Sequence, residues 1–397
     1  QDIINTLWSF LKFLIIYFLY WMSPDILKLY YDYSILDILT TVFLVIFSFF
    51  LAFYIRNILQ LNRKSTLIIF SIHTFMFPIY MLYLFLYGTD SLTYFIRFEG
   101  YAHLDFKPGQ VFMNKMIIFF DFLELNFYNI NYIFSLFSLL SFLLYLKIIE
   151  NFKIKNTYNF YIIFSFLCLP SIHFWHMGFS KDTLTFFGIS LIIYEMLKSK
   201  PNLILILFSI ILLYLVRPHM GLITFIPLAA YYFINTKNKF IKILVVFLFL
   251  ILVPLLMKSI FDFRGFDSLI RFLNMYKDVY VDNEATALYS DTNLIVKILS
   301  YVFLPNILFL KDTSLFYLYI AFENTFLILL FFYVINFNFF KIKNLEKNIF
   351  LLLFSLISLF IFSYITSNIG IASRQKWIFL PALFILFSRL KYSLNQK

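Results

Sequence analysis

The sequence predicts an all-α fold: a polytopic helical membrane protein with a single bilayer-embedded domain, 1–397. Three observations carry this expectation. Of the 397 residues, 62% are hydrophobic and only 13% charged, and the mean hydropathy is +0.87, a balance foreign to soluble domains. Apolar runs of roughly 18 to 22 residues recur, each long enough for a hydrocarbon core ~30 Å thick. Positive charge gathers in alternate connectors, as expected when helices cross a membrane back and forth.

Hydropathy and punctuation together give about twelve spans, near 3–22, 35–55, 66–87, 129–149, 157–175, 182–197, 202–216, 219–234, 240–257, 313–337, 348–366 and 377–390. The first run carries Lys12 at its middle, and a lysine at bilayer depth costs roughly 2.5–3.5 kcal/mol. It therefore reads as either an anchor helix or an interfacial one, and it has no small-residue cleavage site of the kind that ends a signal peptide. Two connectors, 88–128 and 258–312, are far longer than ordinary loops. Both are expected to fold as outer loops with interfacial helices.

The connectors divide into two sets. One set holds seventeen lysines and arginines, among them Arg56, Arg63, Lys147, Lys198, Lys341 and Arg389, against Asp2, Glu150, Glu195 and Glu346. The other holds fourteen cations against sixteen carboxylates. By the positive-inside rule the first set, with both termini, faces the cytoplasm. Topology thus accounts for the formal net charge of +11, and no nucleic-acid partner is needed to explain it.

Other features exclude function classes. A single Cys168 permits neither an internal disulfide nor a cysteine metal cage. The 58 Phe and 29 Tyr are enriched together with Ile, Asn and Lys, as A+T-rich codons would produce, so they do not mark a cofactor site. Walker loops, HExxH and GxSxG are absent, which argues against soluble nucleotide chemistry. There is no internal repeat, and polar residues gather at helix ends rather than near the midplane where a transporter would place them. The pattern favours an enzyme at the outer interface.

The outer turns carry the candidate chemistry. In "HFWHMGFSKD", Pro170 has just ended or kinked the preceding helix, Ser180 is a good N-cap, and Lys181 and Asp182 open the next helix. Either Asp182 complements the helix dipole while Lys181 snorkels to the headgroups, or Lys181 and the free N–H groups of the helix start form an anion site with Asp182 as a substrate-binding neighbour. His173 and His176 are spaced to share a helical face, and are read as hydrogen-bonding a polar substrate. Trp175 is either an interface anchor or a sugar-stacking platform. In Arg217-Pro218-His219, the guanidinium suits bidentate phosphate binding and the imidazole can take a proton near neutral pH. "SNIGIASRQKW" adds Arg374 and Lys376. Cations from three separate turns, meeting at one depth, would neutralise a diphosphate. Asp90 in "GTDSLTYF" is either the N-cap of a short interfacial helix that carries Tyr94 or a carboxylate general base. Glu323, within a span, is either functional or one partner of a helix–helix hydrogen bond.

The ordered set "DSLTY", "LPSIHFWHMGFSKDTLTFFGISLIIY", "YLVRPHMG" and "SNIGIASRQKWIFLP" resembles the Wzy-type O-antigen and capsular polysaccharide polymerases and the EpsG-like polytopic proteins, from Asp90 to Pro381. The resemblance implies polymerisation of undecaprenyl-diphosphate-linked oligosaccharide repeat units on the periplasmic face of the bacterial inner membrane, by glycosyl transfer without metal or other cofactor, in O-antigen (lipopolysaccharide) or capsule biosynthesis. It implies Lys181, Arg217, Arg374 and Lys376 on diphosphates, Asp90 or His219 as base, and Arg264 and Arg271 as the nearest match to the family's paired arginine motifs in the long outer loop. Its partners would be the lipid-linked glycan, membrane lipid and a chain-length regulator of the Wzz type. Two alternatives stay open: a GT-C glycosyltransferase using a polyprenyl-phosphate sugar, whose fold a bundle of this kind can adopt, and a lipid-linked oligosaccharide flippase.

Overall fold

The computed structural model describes residues 35–391 apart from 88–89, 98–104, 153, 155, 241, 244–245, 248–249, 251–292, 310–314, 336–344 and 367. The expected first span, most of the 258–312 connector and Arg264 and Arg271 lie outside the described residues. Within them the chain is all-helical. Among the described residues six helices are long and apolar enough to cross a membrane, or seven if the bent pair Ile369–Ile378 and Leu380–Lys391 is one span.

In chain order the helices are α1 (Ile35–Leu59), α2 (Arg63–Tyr87), α3 (Asp90–Arg97), α4 (Gln110–Phe122), α5 (Phe127–Glu150), α6 (Thr157–Ser165), α7 (Pro170–Trp175), α8 (Lys181–Met196), α9 (Leu203–Val216), α10 (Pro218–Asn235), α11 (Leu294–Phe303), α12 (Leu315–Val334), α13 (Leu345–Ile365), α14 (Ile369–Gln375) and α15 (Leu380–Lys391). The expected span at 157–175 is one of the six, and within it the α-helix gives way to a 3-10 turn at Phe166–Cys168 and to Leu169, which is extended. Pro170 explains the break: it pushes the residue before it out of the helical region and then serves as N1 of α7. The connector 88–128 holds two helices, α3 and α4, which pack on each other.

Helix α8 is the centre of the bundle. It packs against α5 on one side and α9 on the other, and α9 leads through α10 and α13 to α15. Nearly all of α8 is buried, so it is helical on tertiary packing rather than amphipathicity. Gly188 lets α9 come close, since a Cβ there would lie 3.0 Å from Leu213 Cγ.

Capping and polar contacts define the two ends of the bundle. At one end the backbone N–H of Asn62 donates to Glu150 (3.0 Å), Lys198 pairs with Glu195 (2.6 Å), and Lys391 donates to the Tyr333 carbonyl. These join the basic connectors. At the other end lie the first turns of α3 and α8, the α9–α10 turn and α14, each carrying a charged residue singled out above.

Candidate anion-binding site

The α7–α8 turn is shaped by one glycine and one asparagine. Gly178 has φ +68°, and a Cβ on it would fall 2.4 Å from Asn131 Oδ1 and 2.5 Å from Tyr80 Cε1, so only glycine fits. The same Asn131 Oδ1 accepts from the Phe179 N–H (2.9 Å) and from Ser91 Oγ (2.8 Å). A single buried amide thereby ties the turn to α5 and to α3. Ser180 is the N-cap of α8, as its position in the sequence suggests, accepting from the Thr183 N–H at 3.1 Å. Lys181 and Asp182 follow at the helix start.

Asp182 is the hub. Its Oδ1 lies 2.7 Å from Arg217 Nη2 and its Oδ2 2.8 Å from Arg374 Nε. Arg374 Nη2 then reaches Asp90 Oδ2 at 3.5 Å. Arg217 arrives because Pro218 stops α9: the arginine caps both helices in an extended conformation (φ −143°, ψ 91°). Arg374 arrives on α14, whose N-cap Asn368 accepts from the Gly370 and Ile371 N–H groups.

Exposure rises along this chain of charges. The side chains of Asp182, Arg217, Arg374 and Asp90 are 3%, 8%, 29% and 49% exposed. The cluster is therefore sealed on the Asp182 side and open on the Asp90 side. Lys181 stands 5.8 Å over the Tyr94 ring, and Tyr94 is itself buried edge-on against Phe179. Burial first, and then the Arg217 charge, push the Lys181 ammonium below its ordinary pKa. Burial, followed by the Asp90 carboxylate, raises the Tyr94 phenol, which stays protonated. Three cations, Lys181, Arg217 and Arg374, face two carboxylates, Asp90 and Asp182, so the site keeps one net positive charge. Each guanidinium has five N–H donors, and one carboxylate cannot use them all. The arrangement holds two arginines in fixed positions with capacity left for an anion.

His219 opens α10, half-buried and within electrostatic reach of Arg217 and Lys181. Buried Tyr301 on α11 lies within such reach of Asp182 and Arg217. The other side of α11, with Leu299 and Phe303, faces Ile328 and Phe331 of α12 across an apolar groove of about 620 Å³.

Three expected site residues are elsewhere. Lys376 is buried and donates to the Val302 carbonyl (3.1 Å) and to Asn324 Oδ1. Positions i and i+2 of a helix do not share a face, so Lys376 points away from Arg374. His173 is fully buried, with Nδ1 3.2 Å from His73 Nδ1 and Nε2 donating to the Leu167 carbonyl at 2.8 Å. It serves the bundle interior rather than a substrate. Trp175 packs on Phe174 and Tyr83 at the flank of α7. His173 stacks on Phe142, whose ring lies 5.4 Å from that of Phe186 under His176, so the two imidazoles do lie on one side although His176 is the C-cap of α7 (φ −106°, ψ 15°). His176 Nδ1 donates to the Ile172 carbonyl (2.7 Å) and its ring stacks on Phe186, within electrostatic reach of Asp182.

Asn131, Tyr301, His73 and Asn324 were not singled out from the sequence. Each is a polar group within an apolar run, and that is the signal that marks them. Comparison of the chain with protein-family models, curated proteins and solved structures returns no match, so the reading of the site rests on its own geometry.

Proposed function

We propose that this chain is a membrane glycosyltransferase that polymerises lipid-diphosphate-linked oligosaccharide repeat units, with the Asp182 cluster holding the diphosphate. One observation carries the reading: Arg217 and Arg374, from two distant turns, meet on the Asp182 carboxylate, with Lys181 from a third within electrostatic reach, giving a net positive charge and an open side. In the reaction an acceptor sugar hydroxyl attacks C1 of the glycan donor. The new C–O bond forms as the bond from C1 to the diphosphate oxygen breaks, and the departing diphosphate takes the electron pair. Asp90, at the exposed edge of the cluster, accepts the hydroxyl proton. The guanidiniums and Lys181 stabilise charge as it builds on the leaving group, an effect of the kind worth ~10²–10³ in turnover per donor. The apolar groove beside α11 suits a polyprenyl tail.

This reading carries the wider expectations with it. The full chain would form about twelve spans, in a GT-C-like or related bundle, in the bacterial inner membrane. The site would face the periplasm and both termini the cytoplasm, serving O-antigen or capsule synthesis beside a Wzz-type chain-length regulator. The test is genetic and biochemical. Deletion should leave lipopolysaccharide capped with a single repeat unit, and Arg217→Ala with Arg374→Ala should do the same. Absence of any repeat unit would point to a flippase, and normal chain lengths in the double variant would overturn the site.

A further inference from the structure

Lys376, expected in the anion site, belongs instead to a second buried network, and that network touches both halves of the first. Glu323 and Asn324 are consecutive on α12 and both are buried. Glu323 accepts from the Ser171 N–H at 3.0 Å and from the Ser171 hydroxyl. Ser171 opens α7, the segment that runs directly into Gly178 and Asp182. Asn324 Oδ1 accepts from Lys376, two residues beyond Arg374, while its amide donates to the Pro305 carbonyl at 2.7 Å. The Glu323 and Lys376 charges also face each other electrostatically.

We propose that Glu323 and Asn324 are positioning residues that set the Asp182–Arg374 contact. Successive residues of an α-helix point about 100° apart, so two neighbours on one rigid element reach two different segments. Glu323 fastens the segment carrying Asp182, and Asn324, through Lys376, fastens the segment carrying Arg374. Their separation along α12 is one peptide unit and cannot drift. The fastening stands on its own geometry, and its consequence for diphosphate binding rests on the function proposed above.

Hydrogen–deuterium exchange on the full chain in nanodiscs tests the fastening without any ligand. Loss of one buried hydrogen bond should raise exchange roughly two- to tenfold in the segment it holds. Ser171→Ala, which leaves the Glu323 charge opposite Lys376 in place, should loosen residues 171–183 and leave 369–379 unchanged. Asn324→Ala should do the reverse. Exchange that rises over the whole bundle, or in neither segment, would overturn the proposal. A thermodynamic cycle adds the positioning readout: Asn324→Ala should weaken undecaprenyl diphosphate binding in the wild-type background but not beside Arg374→Ala, because it acts only through that arginine. Two independent, additive losses would contradict that role. If the wild-type chain fails to bind the lipid, the proposed function falls, and segment-specific exchange still decides the fastening.

Discussion

Among the described residues, two charge clusters of this bundle put carboxylates and cations to opposite ends. Around Glu323 and Lys376 each charged group has partners: Glu323 accepts from Ser171, and Lys376 donates to a carbonyl and an amide. Both groups are buried. Around Asp182 cations outnumber carboxylates, and exposure climbs from 3% at Asp182 to 49% at Asp90. A network that is balanced and closed holds structure together, whereas one that is unbalanced and open on one side is built to receive an opposite charge.

The sharpest way to break the comparison is to remove one member of each cluster. Asp182→Ala leaves two guanidiniums pressed together, and Lys376→Met leaves the Glu323 carboxylate buried without its cation. Each should cost about 3–5 kcal/mol, read as thermal unfolding of the purified protein. The difference appears on the second substitution. Adding Glu323→Gln to Lys376→Met should restore much of the lost stability, whereas adding Arg217→Ala to Asp182→Ala should not restore polymer formation. If both pairs behaved alike, the distinction between a structural and a receptive cluster would fail.

A smaller effect isolates the turn that delivers Asp182. Gly178→Ala puts a methyl against Asn131 and Tyr80 at a positive φ, and should destabilise by about 1–3 kcal/mol. An unchanged melting temperature would mean that the turn is not held as described. Smaller again is Ser180→Ala, which removes the α8 cap and should cost ~1 kcal/mol.

The mildest test uses pH. Lys181 sits below its ordinary pKa because of burial and Arg217, so it loses its proton earlier than a free lysine as pH rises. Anion affinity should therefore fall on the alkaline side before the usual lysine range near 10.4. Lys181→Arg should move that limb upward, and a limb that stays in place would remove Lys181 from the site.

Much of this architecture was legible in the sequence, for physical reasons that particular residues make plain. Apolar runs bounded by caps and prolines gave the helices: Ser180 caps α8 and Pro218 both stops α9 and starts α10. Lys181, Arg217 and Arg374 were visible as cations at helix ends. Their meeting on Asp182 was not, because no local pattern says which distant turns share a corner of a bundle. Lys376 was misplaced because the stretch holding it was read as a turn, in which neighbouring cations can converge. It is helix at 369–375 and a 3-10 turn at 376–378, which sends residues two apart to different sides. His173 and His176 do lie on one side, as their helical spacing implies, but that side is the aromatic interior of Phe142 and Phe186.

The most direct test of the central claim is a titration of the purified full-length protein with undecaprenyl diphosphate and, separately, undecaprenyl monophosphate. The account predicts tighter binding of the diphosphate, and a loss of about tenfold or more, roughly 1.4 kcal/mol, when Arg217 and Arg374 are both replaced by alanine. Equal affinity of the wild-type and doubly substituted proteins for the diphosphate would contradict it.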